Sequence, residues 1–137
     1  MSSNFKYTHG LGHVPSFQTS CRPFLSSSIT VPDETSEPLE ISFDSVTRFV
    51  IITNTTDPNT SSRPIRFGFS SNGIKGTENN NYIVLDNAET FEAEFKITKV
   101  YFLSNGAYEG EVSIVAGLTG ISSNHLENNW SGSSGVG

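Results

Sequence analysis

Apolar and polar residues alternate with a period of two along most of this chain, and helical periodicity is almost absent. The segment "TFEAEFKI" is the clearest case: Phe91, Ala93, Phe95 and Ile97 oppose Glu92, Glu94 and Lys96. In "PLEISF", Leu39, Ile41 and Phe43 oppose Glu40 and Ser42. "RPIRFGFS" sends Ile65, Phe67 and Phe69 one way and Arg66, Gly68 and Ser70 the other. Successive side chains of a strand point to opposite faces, so each segment predicts a strand with one dry and one wet face. "VTRFVIITN" and "TKVYFLSN" are more continuously apolar, and "GEVSIVAGL" is β-branched; these three predict central, more deeply covered strands. "NYIVLDN" and the segment around Ser20 to Leu25 bring the total to about eight.

Turn chemistry separates these segments, at Pro32-Asp33, Asp57-Pro58-Asn59, Asn72-Gly73, Asp86-Asn87 and Asn105-Gly106. The pattern predicts an all-β domain: an antiparallel β-sandwich of jelly-roll type spanning residues 19–121. The ends differ. Residues 1–18 hold Phe5, Tyr7, His9, His13 and Phe17 outside any strand pattern, interrupted by Gly10, Gly12 and Pro15. Residues 122–137 are small or polar apart from Leu126, Trp130 and Val136. Neither end can build a core of its own, and both read as extended arms.

With 137 residues, the chain is long enough for one domain with a sizeable core. Its formal charge of −6, with acids scattered throughout, argues against a nucleic-acid binder, which shows a basic patch. No apolar run approaches a membrane span, and "MSSNFKYTHG" lacks the apolar stretch of a secretory signal. The single cysteine excludes an intrachain disulfide framework. Three glycosylation sequons begin at Asn54, Asn59 and Asn129, in a chain rich enough in Asn, Ser and Thr to match by chance.

His9 and His13, with Cys21 downstream and His125 in the tail, are the candidates for metal or nucleophilic chemistry. Four-residue spacing puts two histidines on one face of a helix, but Gly10 and Gly12 disfavour a helix. In an extended segment the two rings stand roughly 13 Å apart, too far to share an ion. Cys21 fits a packing role better than a nucleophilic one, since no orienting pair is evident. Glu92 and Glu94 share one exposed strand face, whereas glycosidase carboxylates face each other across a cleft. "SSNGIKGTENN" lacks the spacing of a phosphate loop and reads as a long polar loop between strands. We therefore expect neither a catalytic centre nor a metal or cofactor.

The run "RFGFSSNGIKGTENNNYIVLDNAETFEAEFKITKVYFLS", with "IVAGLTGI" and the terminal "NNWSGSSGVG", resembles small β-sandwich virion structural proteins of marine and aquatic viruses. These are of the capsid-accessory or decoration kind, from tailed phages or large algal viruses. The resemblance implies a non-enzymatic subunit in the virion that contacts capsid proteins and copies of itself, with neither nucleic acid nor membrane as partner. In that setting Tyr7, His9, His13, Phe17 and Trp130 become candidate interface residues, because aromatic anchors carry much of an interface's energy. The rival expectation is a carbohydrate- or receptor-binding module of a viral fibre, with Tyr82 beside Asn79, Asn80 and Asn81 as best candidate and Tyr108 next.

Overall fold

A computed structural model describes residues 21–76, 80–122 and 136. Eight strands form: β1 (Arg22–Val31), β2 (Leu39–Ser42), β3 (Thr47–Asn54), β4 (Ile65–Gly68), β5 (Tyr82–Leu85), β6 (Thr90–Ala93), β7 (Lys99–Ser104) and β8 (Gly110–Leu118). They make two four-stranded antiparallel sheets, ordered β1-β8-β3-β6 and β2-β7-β4-β5. The all-β sandwich expected from the alternation is the fold observed. The three segments with the most continuous apolar character, β3, β7 and β8, occupy interior positions of their sheets.

Pairing is nested. β1 pairs with β8, β2 with β7, β3 with β6 and β4 with β5, so the chain closes on itself like one long hairpin wound into two layers. Between the layers lie Val31, Val50, Ile52, Ile65, Val100, Phe102, Val112, Ile114 and Ala116, all essentially inaccessible. Each of these Val, Ile and Phe side chains contributes about 1.5–3 kcal/mol by leaving water. Aromatic pairs close the two open sides of the sandwich. Phe24 meets Phe43 edge-on at 4.9 Å on one side. Phe67–Phe91 and Phe69–Phe95, at 4.8 and 5.6 Å, fill the other.

Three local readings differ from the sequence pattern. Within the predicted polar loop, Ser71–Lys75 form a short helix, α1. The Ser70 hydroxyl accepts the Gly73 N–H at 3.1 Å, Ile74 is buried beneath it, and Gly76 ends the helix at φ 73°. A serine cap and one buried isoleucine thus outweigh the turn preference of Asn72-Gly73. Strand β6 stops at Ala93, although the alternation runs to Ile97. There the Thr47 side chain enters the ladder: its hydroxyl donates to the Phe95 carbonyl and accepts the Ile97 N–H at 3.2 Å. Burial still alternates through Phe95 and Ile97 although β6 itself has ended. Finally, β1 continues past Leu25 to Val31 through an irregularity between Ser26 and Ile29, where Ser28 has φ 55°.

Candidate interaction surfaces

At one end of the sandwich, where the β1–β2, β3–β4, β5–β6 and β7–β8 connections meet, short polar side chains tie the loops together. Asn54, the last residue of β3, is fully buried. Its amide donates to the carbonyls of Arg63 and Leu85 at 3.1 and 3.0 Å, while its Oδ1 accepts the Thr56 N–H at 3.1 Å. Asn87 repeats the device: it accepts the Arg63 N–H and donates to the carbonyls of Asp57 and Ser61. Ser104 donates to Val31 O and accepts the Gly110 N–H, and Tyr108 donates its hydroxyl to Pro64 O. Burial, followed by the nearby charges of Asp86 and Glu34, raises the Tyr108 phenol above its ordinary value. Hydrogen bonds from Thr35, and then Ser36, hold Asp33 below the usual carboxylate range; Ser62 and the Asn87 N–H do the same for Asp86. Thr56 Oγ1 is the exception, buried without a hydrogen-bond partner among the described residues; the paired groups around it specify one arrangement of their loops.

The opposite end is built differently. Arg22 is paired with Leu118, and Leu118 with Thr47, so the chain enters β1 and leaves β8 side by side. Cys21 is half-buried, and its Sγ and the Phe49 ring both crowd Gly117, leaving no room for a side chain there. After β8, Thr119 donates both N–H and hydroxyl to Val46 O, and Val46 N–H donates to Ile121 O at 2.9 Å. Val46, Thr47, Phe95, Lys96 and Ile121 line an open groove of about 370 Å³. Beside it, Val136 pairs with Ile97 as an isolated antiparallel bridge and is buried in the core. One residue of the predicted C-terminal arm therefore belongs to the sandwich.

Along the outer face of the β2-β7-β4-β5 sheet, Arg66 reaches towards both ends. Its guanidinium donates to Asn105 Oδ1 at 2.8 Å and to Ile74 O at 3.1 Å, and lies 4.6 Å from the centre of the Tyr82 ring. Its polar position in an otherwise ordinary alternating strand gave no sign of this role. On the same sheet, Tyr101 donates to Glu40 at 2.7 Å. Burial, with that bond, pushes the Tyr101 phenol up to about 12, and the Glu40 carboxyl lies below its usual value because it accepts from Tyr101 and Ser42.

Of the interface candidates read from sequence, Tyr7, His9, His13, Phe17 and Trp130 lie outside the described residues, as does His125. Glu92, Glu94 and Lys96 are exposed, and Glu94 pairs with Arg48 at 3.3 Å. Tyr82 has one ring face occupied by Arg66, and Tyr108 is tied to Pro64. Among the described residues, no group of three or more His, Cys, Asp or Glu side chains is placed to hold a metal ion. The Asn54 amide is hydrogen-bonded inside the fold, whereas Asn59 is exposed. Compared with known protein families, curated proteins and solved structures, the chain matches none.

Proposed function

We propose that this chain is a non-enzymatic virion structural protein, a capsid accessory subunit of the minor-capsid, decoration or cement type. We read the nested strand pairing as a jelly-roll winding, the rigid body of such a subunit. The sequence resemblance given above supports the viral assignment. The observation that carries the mechanism is the position of the chain ends: both join the sandwich at one end, beside the groove formed by Val46, Thr47, Phe95 and Ile121. In this reading the two arms engage the same neighbour, with Tyr7, His9, His13, Phe17 and Trp130 as anchors, while side-chain bonds tie the loops of the other end. Extended segments that order on a neighbouring surface wrap a large contact area.

Removal of residues 1–16 tests this reading. The truncated chain retains the β-type circular dichroism of the intact protein, and light scattering shows loss of any assembly larger than a pair. An unchanged assembly size, with the arm absent, would overturn the proposal. Removing the tail from Asn124 is the harsher experiment, since it also takes Val136 out of the core.

A further inference from the structure

Four strands form the edges of the two sheets: β1, β6, β2 and β5. An edge exposes unpaired N–H and C=O groups and joins another strand unless something blunts it. Three of these edges are blunted. β1 carries Arg22, Pro23 and its irregularity at Ser28; β6 carries Glu92; β2 carries Glu40 and follows Pro38. β5 reads Tyr-Ile-Val-Leu, without charge, proline or bulge. Ile83 is 53% exposed and Val84 40% exposed, two of the three large hydrophobics on the surface of the described residues.

The backbone of β5 shows which groups are free. Asn105 N–H donates to Pro64 O, so Pro64 faces β7, and antiparallel alternation turns Ile65 and Phe67 towards β5. Their partners Leu85 and Ile83 then face β4, which leaves the N–H and C=O of Tyr82, Val84 and Asp86 pointing outward. At Asp86 both are taken, the N–H by the Glu89 carboxylate and the C=O by the Glu89 N–H. Tyr82 and Val84 have no backbone partner on that side among the described residues.

We infer that β5 is a self-pairing edge, joining β5 of a second copy antiparallel about a two-fold axis at Ile83. A two-fold normal to the sheet requires a residue to face its own copy. Centred on Ile83, it sets Tyr82 opposite Val84 of the second copy twice over, and four hydrogen bonds then use the free groups alone. The two Ile83 side chains meet at the axis, in the close pair where side chains approach best. Charge favours a second copy here and nowhere else on the edges. The next charged residue, Asp86, falls opposite Asn80 of the other chain, whereas self-pairing of β6 sets Glu92 near its own copy. Two sheets of four strands become one continuous sheet of eight. The contact is small beside a standard interface of roughly 1,200–2,000 Å², so it is weak in solution and suited to subunits crowded on a lattice. This inference rests on the reading of the chain as a multimeric subunit, and adds the surface through which copies pair.

The experiment uses the full chain with Cys21→Ser as background. Across the Ile83 pair the Cα atoms stand about 4.5 Å apart, within disulfide range, whereas Val84 and its copy lie at least about 7–8 Å apart. Under mild oxidation at high protein concentration, Ile83→Cys is expected to form a disulfide dimer at least about tenfold faster than Val84→Cys. In sedimentation equilibrium without added cysteines, Ile83→Lys and Val84→Pro weaken self-association about tenfold or more, while Leu25→Lys on β1 leaves it unchanged. The outward Val84 N–H makes no bond to β4, so proline there spares the ladder, and circular dichroism verifies the fold of each variant. A wild-type chain that stays monomeric at high concentration overturns the inference, as does a dimer indifferent to these substitutions or a Val84→Cys crosslink as fast as that of Ile83→Cys. An arm of another copy lying on β5 shows itself as sensitivity to Ile83→Lys without the Ile83→Cys homodimer, which also overturns it. Assembly that needs residues 1–16 but ignores β5 leaves the capsid reading standing and removes this one.

Discussion

The two ends of the sandwich solve opposite problems. Where the loops meet, Asn54, Asn87, Ser104 and Tyr108 spend their hydrogen bonds inside the molecule, and the four connections become one knot. Where the chain enters and leaves, one hydroxyl of Thr47 interrupts a ladder, a groove stays open, and Val136 returns to cover Ile97. The first end is tied by side-chain bonds within a single chain, with Thr56 Oγ1 left unpartnered among the described residues. At the second, the N–H groups of Val46, Thr47, Thr119, Gly120 and Ile121 are also bonded within the chain, and the groove beside them is what stays open. The ends differ in means: side-chain amides and hydroxyls knit the loops at one, whereas backbone bonds and an open groove mark the other.

The sharpest way to break the contrast is Asn54→Ala. The buried Leu85 carbonyl then loses its bond at about 1–3 kcal/mol, and the part-buried Arg63 carbonyl and Thr56 N–H lose theirs at about 0.5–1.5 kcal/mol each, before relaxation. Urea unfolding is expected to show a loss of about 3–4 kcal/mol after partial relaxation; a loss below about 1 kcal/mol would mean the knot is not what holds this end. Next comes Arg66→Lys. An ammonium cannot serve Asn105 and Ile74 in a fork while lying on Tyr82, and the side chain is only 13% exposed. The expected cost is about 1–3 kcal/mol, read by the same method.

At the other end, Val136→Ala removes two buried carbons beside Ile97 and is expected to cost about 1–2 kcal/mol. A thermal midpoint unchanged by it would show that the end of the chain contributes nothing to the isolated sandwich. The smallest effect is titration of the exposed carboxylates. Asp33 and Asp86 have folded values below their ordinary ones, so their contribution is present above the unfolded value of about 4 and lost as pH falls through the folded values. Paired Asp33→Asn and Asp86→Asn changes flatten the acid limb of the stability profile. Tyr101 gives the reverse sign: with its value raised to about 12, its contribution is full below about 10 and disappears as pH rises through that window. Tyr101→Phe removes that alkaline component, as fluorescence-monitored unfolding at high pH will show.

Strand existence was legible because period-two alternation is written directly in side-chain polarity: Phe91, Ala93, Phe95 and Ile97 keep their inward alternation even past the end of β6. Interior strands were legible for the same reason, since β3, β7 and β8 need apolar cover on more than one side. α1 was not, because five residues are too few to show a helical period and the deciding interactions are a cap at Ser70 and burial of Ile74. The polar keystones were hidden for another reason. Asn54 in "TNTT" and Arg66 in "IRFG" look like any strand-end amide and any wet-face charge, and only the topology brings Arg63, Leu85, Asn105 and Ile74 to them. The freedom of the β5 edge depends on strand order, which no local pattern encodes.

Residue-resolved hydrogen exchange, on the full chain dilute and then concentrated into its assembled form, tests the central claim most directly. Amides of the loop end, including Arg63, Thr56 and Gly110, are expected to be protected equally in both states, because their partners are internal. Tyr82 and Val84, together with the Lys96 amide beside the groove, are expected to gain protection only in the assembled state. Gains confined to the loop end, or an assembled state in which the groove and β5 exchange as fast as in the dilute chain, would contradict the account.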